Sequence, residues 1–146
     1  MYTPSANPSD YAEQYIGFHE YRNREQLQEI LQIDPVRTEW CADFVNGILA
    51  LDSIPNLYAI DHRYPLTARA FLQWGISIPP EQIQKGDLVV FPRGNSSWQG
   101  HVGFYIASKL VNDREYYVIL GGNQSNQVSY ELYKASDALG IRRWIE

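Results

Sequence analysis

A single cysteine, Cys41, stands in this chain of 146 residues. No disulfide can form within the chain, and no second thiol offers a zinc partner. There is no His-Glu-x-x-His and no calcium loop of alternating acidic residues. The carboxylates are scattered, so no glycosidase pair stands out. No glycine-rich loop precedes a helix to cradle phosphate; Gly94 to Gly100 falls between predicted strands. No apolar run approaches the ~20 residues of a transmembrane helix, so membrane insertion is not expected. The segment Met1 to Asp10 is polar, holds Pro4 and Pro8, and lacks the basic start and apolar stretch of a signal peptide. Synthesis in the cytoplasm is the expectation, with another route of delivery if the target lies outside. Basic runs are missing too. A net charge of −5 argues against nucleic acid as the main partner and against an anionic membrane surface.

What is present describes a globular chain: 45% apolar and 20% charged residues, with four Trp and eleven Tyr. The length suits one domain, expected over residues 11–146 behind an arm at 1–10. Ser9-Asp10 predicts a helix start, and Asn23 to Leu31 a second short helix with Leu27, Ile30 and Leu31 on one face. Cys41, Phe44, Ile48 and Leu51 recur at steps of three and four. They predict a largely buried helix, with Thr38 as its cap. Asn56 to Pro65 reads as a surface loop, and Thr67 to Trp74 as a short helix closed by Gly75. The period then changes. Strands are predicted over Asp87–Phe91, His101–Ile106, Tyr116–Leu120, Val128–Tyr133 and Ile141–Ile145, with a flexible loop at Gly94–Gly100. Helices first and antiparallel strands second imply α+β, a helical layer on one sheet.

Three residue types in this chain order bear on chemistry. Cys41 is expected in the first turn of its helix, where the helix dipole favours thiolate. Glu39 and Asp43 act against that, and are expected to turn away or engage other partners. His101 begins an apolar strand beside the Gly/Ser/Asn loop; His19 and His62 sit in polar surroundings. An imidazolium facing the thiol would favour the thiolate further. Asn123 follows Gly121-Gly122, where the backbone can turn sharply, and its amide could hold the imidazole. Each has a plainer reading: Cys41 as a small core residue, His101 as a strand-end histidine, and Gly-Gly-Asn-Gln as an ordinary turn. Order, element type and position agree with catalysis when the three are taken together.

Three stretches carry a family resemblance: Glu39-Trp40-Cys41-Ala42-Asp43-Phe44-Val45-Asn46, Ala68-Arg69-Ala70-Phe71-Leu72-Gln73-Trp74-Gly75 and Lys85-Gly86-Asp87-Leu88-Val89-Val90-Phe91. With Gly100-His101-Val102-Gly103-Phe104-Tyr105 and Leu120-Gly121-Gly122-Asn123-Gln124, the chain resembles the NlpC/P60 and CHAP cysteine peptidases. It is most similar to a compact phage and bacterial subgroup. The resemblance covers roughly Tyr11 to Trp144. It implies a papain-like fold and hydrolysis of an amide bond in bacterial peptidoglycan, with Cys41 as nucleophile, His101 as base and Asn123 as the residue that orients it. Many CHAP members carry a carboxylate where Gly121 stands here. No metal or other cofactor is expected, since only Asp34 lies near the calcium positions of some members.

The expected action is in the periplasm or cell wall, or as part of a virion or secretion tube. Trp98, Trp40 and Trp74 are candidates to line the substrate groove, Trp98 foremost because it sits in a Gly/Ser loop, with core packing as the alternative for Trp40 and Trp74. Two rival readings stand beside this one: a non-catalytic phage structural or wall-binding domain on the same scaffold, and a secreted antibacterial amidase. The bond cleaved and the oligomeric state are not readable from these residues.

Overall fold

The structure, a computed structural model, describes residues 7–36, 39–60 and 67–145. Its architecture is α+β. The helices are α1 (Ser9–Glu13), α2 (Arg24–Leu31), α3 (Cys41–Leu51) and α4 (Leu57–Ile60), followed by a 3₁₀ turn at Ala68–Gln73. The strands are β1 (Ile76–Ser77), β2 (Leu88–Pro92), β3 (Gly100–Val111), β4 (Arg114–Gln124), β5 (Gln127–Lys134) and β6 (Gly140–Arg143). They form one six-stranded sheet in the order β1-β6-β2-β3-β4-β5. Every adjacent pair is antiparallel.

The central helix α3 is buried along most of its length, from Cys41 through Phe44, Val45, Ile48 and Leu49. Its apolar residues recur around more than one face, as expected of a helix covered on both sides. It packs on β3 and β4, with α2 behind it. Strand alternation splits the sheet into two apolar faces. Val90, Val102, Phe104 and Leu120 join the helices in one core, while Val89, Phe91, Tyr105, Ile119 and Ile141 form a second core on the opposite face.

That second face is closed by the sheet itself. Tyr133 on β5 stacks on Phe91 of β2 with ring centroids 4.7 Å apart. Three strand spacings in a flat sheet span about 14 Å. The sheet therefore curls over, helped by the register shift between Tyr105 and Ala107 in β3.

Two sequence expectations need correction, and one element was missed. The β3–β4 pair runs on past the expected strands as a hairpin, turning at Asn112 and Asp113, both with positive φ (51° and 64°). A tight two-residue turn demands that conformation, and Asn and Asp tolerate it without glycine. Within the expected surface loop, Leu57 is fully buried. Its N–H donates to the buried Asn46 Oδ1 at 2.9 Å, which anchors α4. The short strand β1 was hidden by its length. Thr38, expected as the cap of α3, and His62 lie outside the described residues. The residue that caps α3 is Trp40, which makes no side-chain capping bond.

Gly122 joins the two layers. A Cβ there would lie 2.7 Å from the Trp40 ring and 2.8 Å from Phe44 Cβ. Gly122→Ala must push β4 off the first turn of α3. The expected cost is about 1–3 kcal/mol, as for other overpacked cores, seen as a lower urea midpoint with an unchanged slope. An unchanged midpoint would show that the layers do not need this contact.

Candidate functional site

The site lies where the start of α3 meets the start of β3 and the end of β4. Cys41 is the first residue of α3. The backbone N–H groups of Ala42 and Val102 donate toward its sulfur and favour thiolate, while burial of the sulfur outweighs both and pushes the thiol above its ordinary value. Val102 directly follows His101, so the thiol sits beside the peptide that carries the imidazole.

His101 is only 3% exposed. Its Nε2 lies 2.8 Å from Gln124 Oε1. The Gln124 amide nitrogen donates to the Ile119 carbonyl at 3.2 Å and to the Ser129 carbonyl at 2.6 Å. Those two acceptors settle which end of the amide faces the ring. Gln124 presents its oxygen, so His101 Nε2 carries the proton and Nδ1 is left as an acceptor. Nδ1 is buried and has no hydrogen-bond partner among the described residues. Tyr133 lies flat against the imidazole, with centroids 5.1 Å apart and planes 13° from parallel. Gln124 and Tyr133 together define both the tautomer and the plane of the ring.

Asn123 does not make the expected contact. It takes a positive φ of 58° within an irregularity of the β4–β5 ladder between Gly121 and Gln124. That break in alternation brings Gln124 onto the imidazole. Asn123 instead lines a polar trough with Glu20, Glu39, Arg93 and Asn126. Gly121 makes the new contact feasible, because a Cβ there would lie 2.8 Å from Gln124 Oε1 and 3.1 Å from His101 Nε2. The sequence carried Gln124 in plain view, but nothing in it marked the backbone reversal at Asn123.

The three tryptophans separate. Trp40 is fully buried and its Nε1 donates to Glu20 Oε2 at 3.0 Å. Trp74 is 2% exposed and its Nε1 donates to the Pro55 carbonyl at 2.7 Å. Both are core residues, correcting the expectation that they line a groove. A large aromatic fills the core when its N–H finds a partner, as here. Trp98 is 67% exposed and lines a cleft with Cys41, Glu39, Thr67, Ala68 and Gln99. Its loop, expected to be flexible, is pinned: Arg69 donates from Nε to the Gln99 carbonyl and from Nη2 to the Ser96 carbonyl, each at 2.7 Å.

Around the thiol, Glu39 engages another partner as expected, while the state of the Cys41–His101 pair departs from expectation. Glu39 is turned onto Arg93, with Oε1 2.7 Å from Nη1. Burial lowers His101 from 6.5 to about 4, against the opposing pull of its bond to Gln124. Burial thus pushes both groups toward their neutral forms and against the expected ion pair. Asp43 is also buried, and desolvation raises its carboxyl from 3.8 to about 6. Among the described residues, no three His, Cys, Asp or Glu side chains gather as metal ligands.

No family model matches the chain, and no curated protein matches it. Among solved structures, the chain resembles an NlpC/P60 family protein from Bacillus cereus, with 19% identity and a TM-score of 0.44. The likeness covers 73% of this chain and 32% of that one, so the chain spans about a third of that protein's length.

Two measurements check these assignments. Alkylation of Cys41 by iodoacetamide should keep rising with pH into the alkaline range. A plateau already reached at neutral pH would mean a preformed thiolate. The second concerns stability. A histidine whose folded value is depressed gives stability that is complete above its unfolded value and is lost as pH falls through the folded one. For His101 that window runs from 6.5 down to about 4. Asp43, raised from 3.8 to about 6, has the opposite sign and gains stability as pH falls over nearly the same window. The two offset each other in the native chain. Asp43→Asn removes one side, so its urea midpoint should drop more steeply than wild type between pH 6.5 and 4. Parallel curves would contradict the assignment.

Proposed function

We propose that the protein is a cysteine hydrolase of papain-like type that cleaves an amide bond in bacterial peptidoglycan. The observation that carries this reading is the His101 ring. Its Nε2 is held by Gln124, and its buried Nδ1 is left open beside the peptide that borders Cys41. A core histidine with no task would be expected to satisfy both nitrogens.

In the proposed reaction, Nδ1 takes the Cys41 proton as the sulfur attacks the substrate carbonyl. The C–N bond breaks, and His101 returns that proton to the departing amine. Water then adds to the thioester with His101 again as base, which releases the carboxylate and restores the thiol. Gln124, rather than Asn123, takes the orienting role. The Cys41 N–H at the start of α3 is one candidate donor to the oxyanion. Because burial favours the neutral forms of both groups, thiolate forms as substrate binds, with proton transfer coupled to attack. The bond is placed in the stem peptide or at the muramic acid–peptide junction. Delivery as a phage lysin or virion component belongs to the same reading and is supported by the sequence resemblance.

Mass spectrometry of digested, purified peptidoglycan tests the activity and identifies the bond. Cys41→Ala and His101→Ala should each lower the rate by about 10³-fold or more, and the double variant should be no worse than either, as for residues that act as a unit. Gln124→Ala should cost about 10²-fold, and Asn123→Ala should cost less. Full activity in Cys41→Ala would sink the proposal. The reverse ranking of Gln124 and Asn123 would sink the orienting assignment.

A further inference from the structure

The cleft beside Cys41 holds an exposed tryptophan on an immobilised loop. Trp98 leaves two thirds of its surface in solvent, although large apolar side chains gain about 1.5–3 kcal/mol from burial. The loop that presents it is held from below. Arg69, in the 3₁₀ turn at Ala68–Gln73, spends two guanidinium donors on the Gln99 and Ser96 carbonyls. Ser96 Oγ accepts from the Trp98 N–H at 3.2 Å and from the Gln99 N–H at 3.0 Å. Four bonds thus fix the backbone on both sides of an indole that itself packs into no core. A rigid scaffold under an exposed aromatic is how a binding platform avoids an ordering cost.

We infer that this cleft is a carbohydrate subsite, in which Trp98 receives the C–H face of a pyranose ring from the glycan strand. The inference rests on the reading of Cys41 as a peptidoglycan nucleophile, since it places the glycan on one side of the thiol. The lining selects among ligands. Beside the indole stand the Thr67 hydroxyl, the Gln99 amide and the Glu39 carboxylate, while the neighbouring apolar groups are the methyls of Ala42 and Ala68. An apolar peptide side chain gains most from an enclosed apolar pocket, which this cleft, half of it polar, is not. A pyranose has one weakly polar C–H face and a rim of hydroxyls. It matches an aromatic plate edged by hydrogen-bonding groups. Glu39 also lines a second trough with Glu20, Pro35, Val36, Arg93 and amide groups, which offers no aromatic plate to a sugar face.

The test uses the full chain carrying Cys41→Ala, titrated with an N-acetylglucosamine tetramer and followed by calorimetry and tryptophan fluorescence. Saturable binding is expected. Adding Trp98→Ala should weaken it about 3- to 10-fold, the worth of one aromatic contact, and Trp98→Phe should recover part of the loss. Arg69→Gln should weaken binding with Trp98 still present, because the platform is loosened. No binding, or equal affinity with and without Trp98, overturns the inference. In the active chain, Trp98→Ala should raise KM several-fold more for a stem peptide still linked to its glycan than for the sugar-free peptide; equal rises overturn it. A wild-type chain that binds the tetramer yet hydrolyses neither substrate would refute the hydrolase reading and leave the glycan subsite standing.

Discussion

The structure depends on one irregular turn, Gly121 to Gln124 at the end of β4. Regular strand geometry cannot serve both of the groups that converge there. On one side the Trp40 ring and the first turn of α3 press against Gly122. On the other, Gln124 must reach back to His101 while its amide nitrogen ties to the Ile119 and Ser129 carbonyls. Two missing Cβ atoms and one residue in the left-handed region, Asn123, satisfy both demands. The helix that starts with Cys41 and the strand that carries His101 are thereby held against one another by the same four residues. Packing and site geometry are not separable here, because the glycine that admits Trp40 is next to the glycine that admits the Gln124–His101 bond.

The balance of charge follows from how deeply that turn buries the pair. A helix N-terminus contributes about 0.3–1 kcal/mol to a negative charge in its first turn. The depression of His101 from 6.5 to about 4 corresponds to about 3 kcal/mol favouring the neutral ring. Desolvation is the larger effect, and it acts on the thiol in the same sense, toward neutrality. An ion pair at rest would have to recover both penalties from Coulomb attraction alone. A neutral pair avoids both penalties. The Tyr133 ring and the Gln124 oxygen keep the imidazole aligned, so alignment does not depend on electrostatic attraction between the pair.

Much of the layered fold was legible in the chain. The period of α3 is set by Cys41, Phe44 and Ile48, and that of β2 and β3 by Leu88–Phe91 and His101–Tyr105. These are runs in which burial on a known side dictates residue type. What stayed hidden was decided by tertiary contact. The exposed hairpin around Asn112-Asp113 has no apolar alternation to announce it. The burial of Trp40 and Trp74 rests on acceptors distant in sequence, Glu20 and the Pro55 carbonyl. The choice between Asn123 and Gln124 turned on a single backbone reversal, which residue identity cannot show because asparagine and glutamine offer the same amide. Tyr133 was one of eleven tyrosines until the curled sheet laid it on the imidazole. Arg93, paired with Glu39, likewise had no mark in sequence.

The Glu39–Arg93 pair joins two surfaces of different character. Glu39 borders both the Trp98 cleft and the polar trough of Glu20, Asn123 and Asn126, so it stands at the divide between two surfaces of different chemistry. An exposed ion pair of this kind is worth little to stability, about 0–1 kcal/mol. Its consequence lies in what it withholds from the thiol. With its carboxylate drawn to Arg93, Glu39 adds only a minor opposing influence on the thiol. Arg93 itself lines the trough and adds its charge to that side. Glu39 is thus shared by a cleft that holds Cys41 and the Trp98 plate and by a trough of charged and hydrogen-bonding groups.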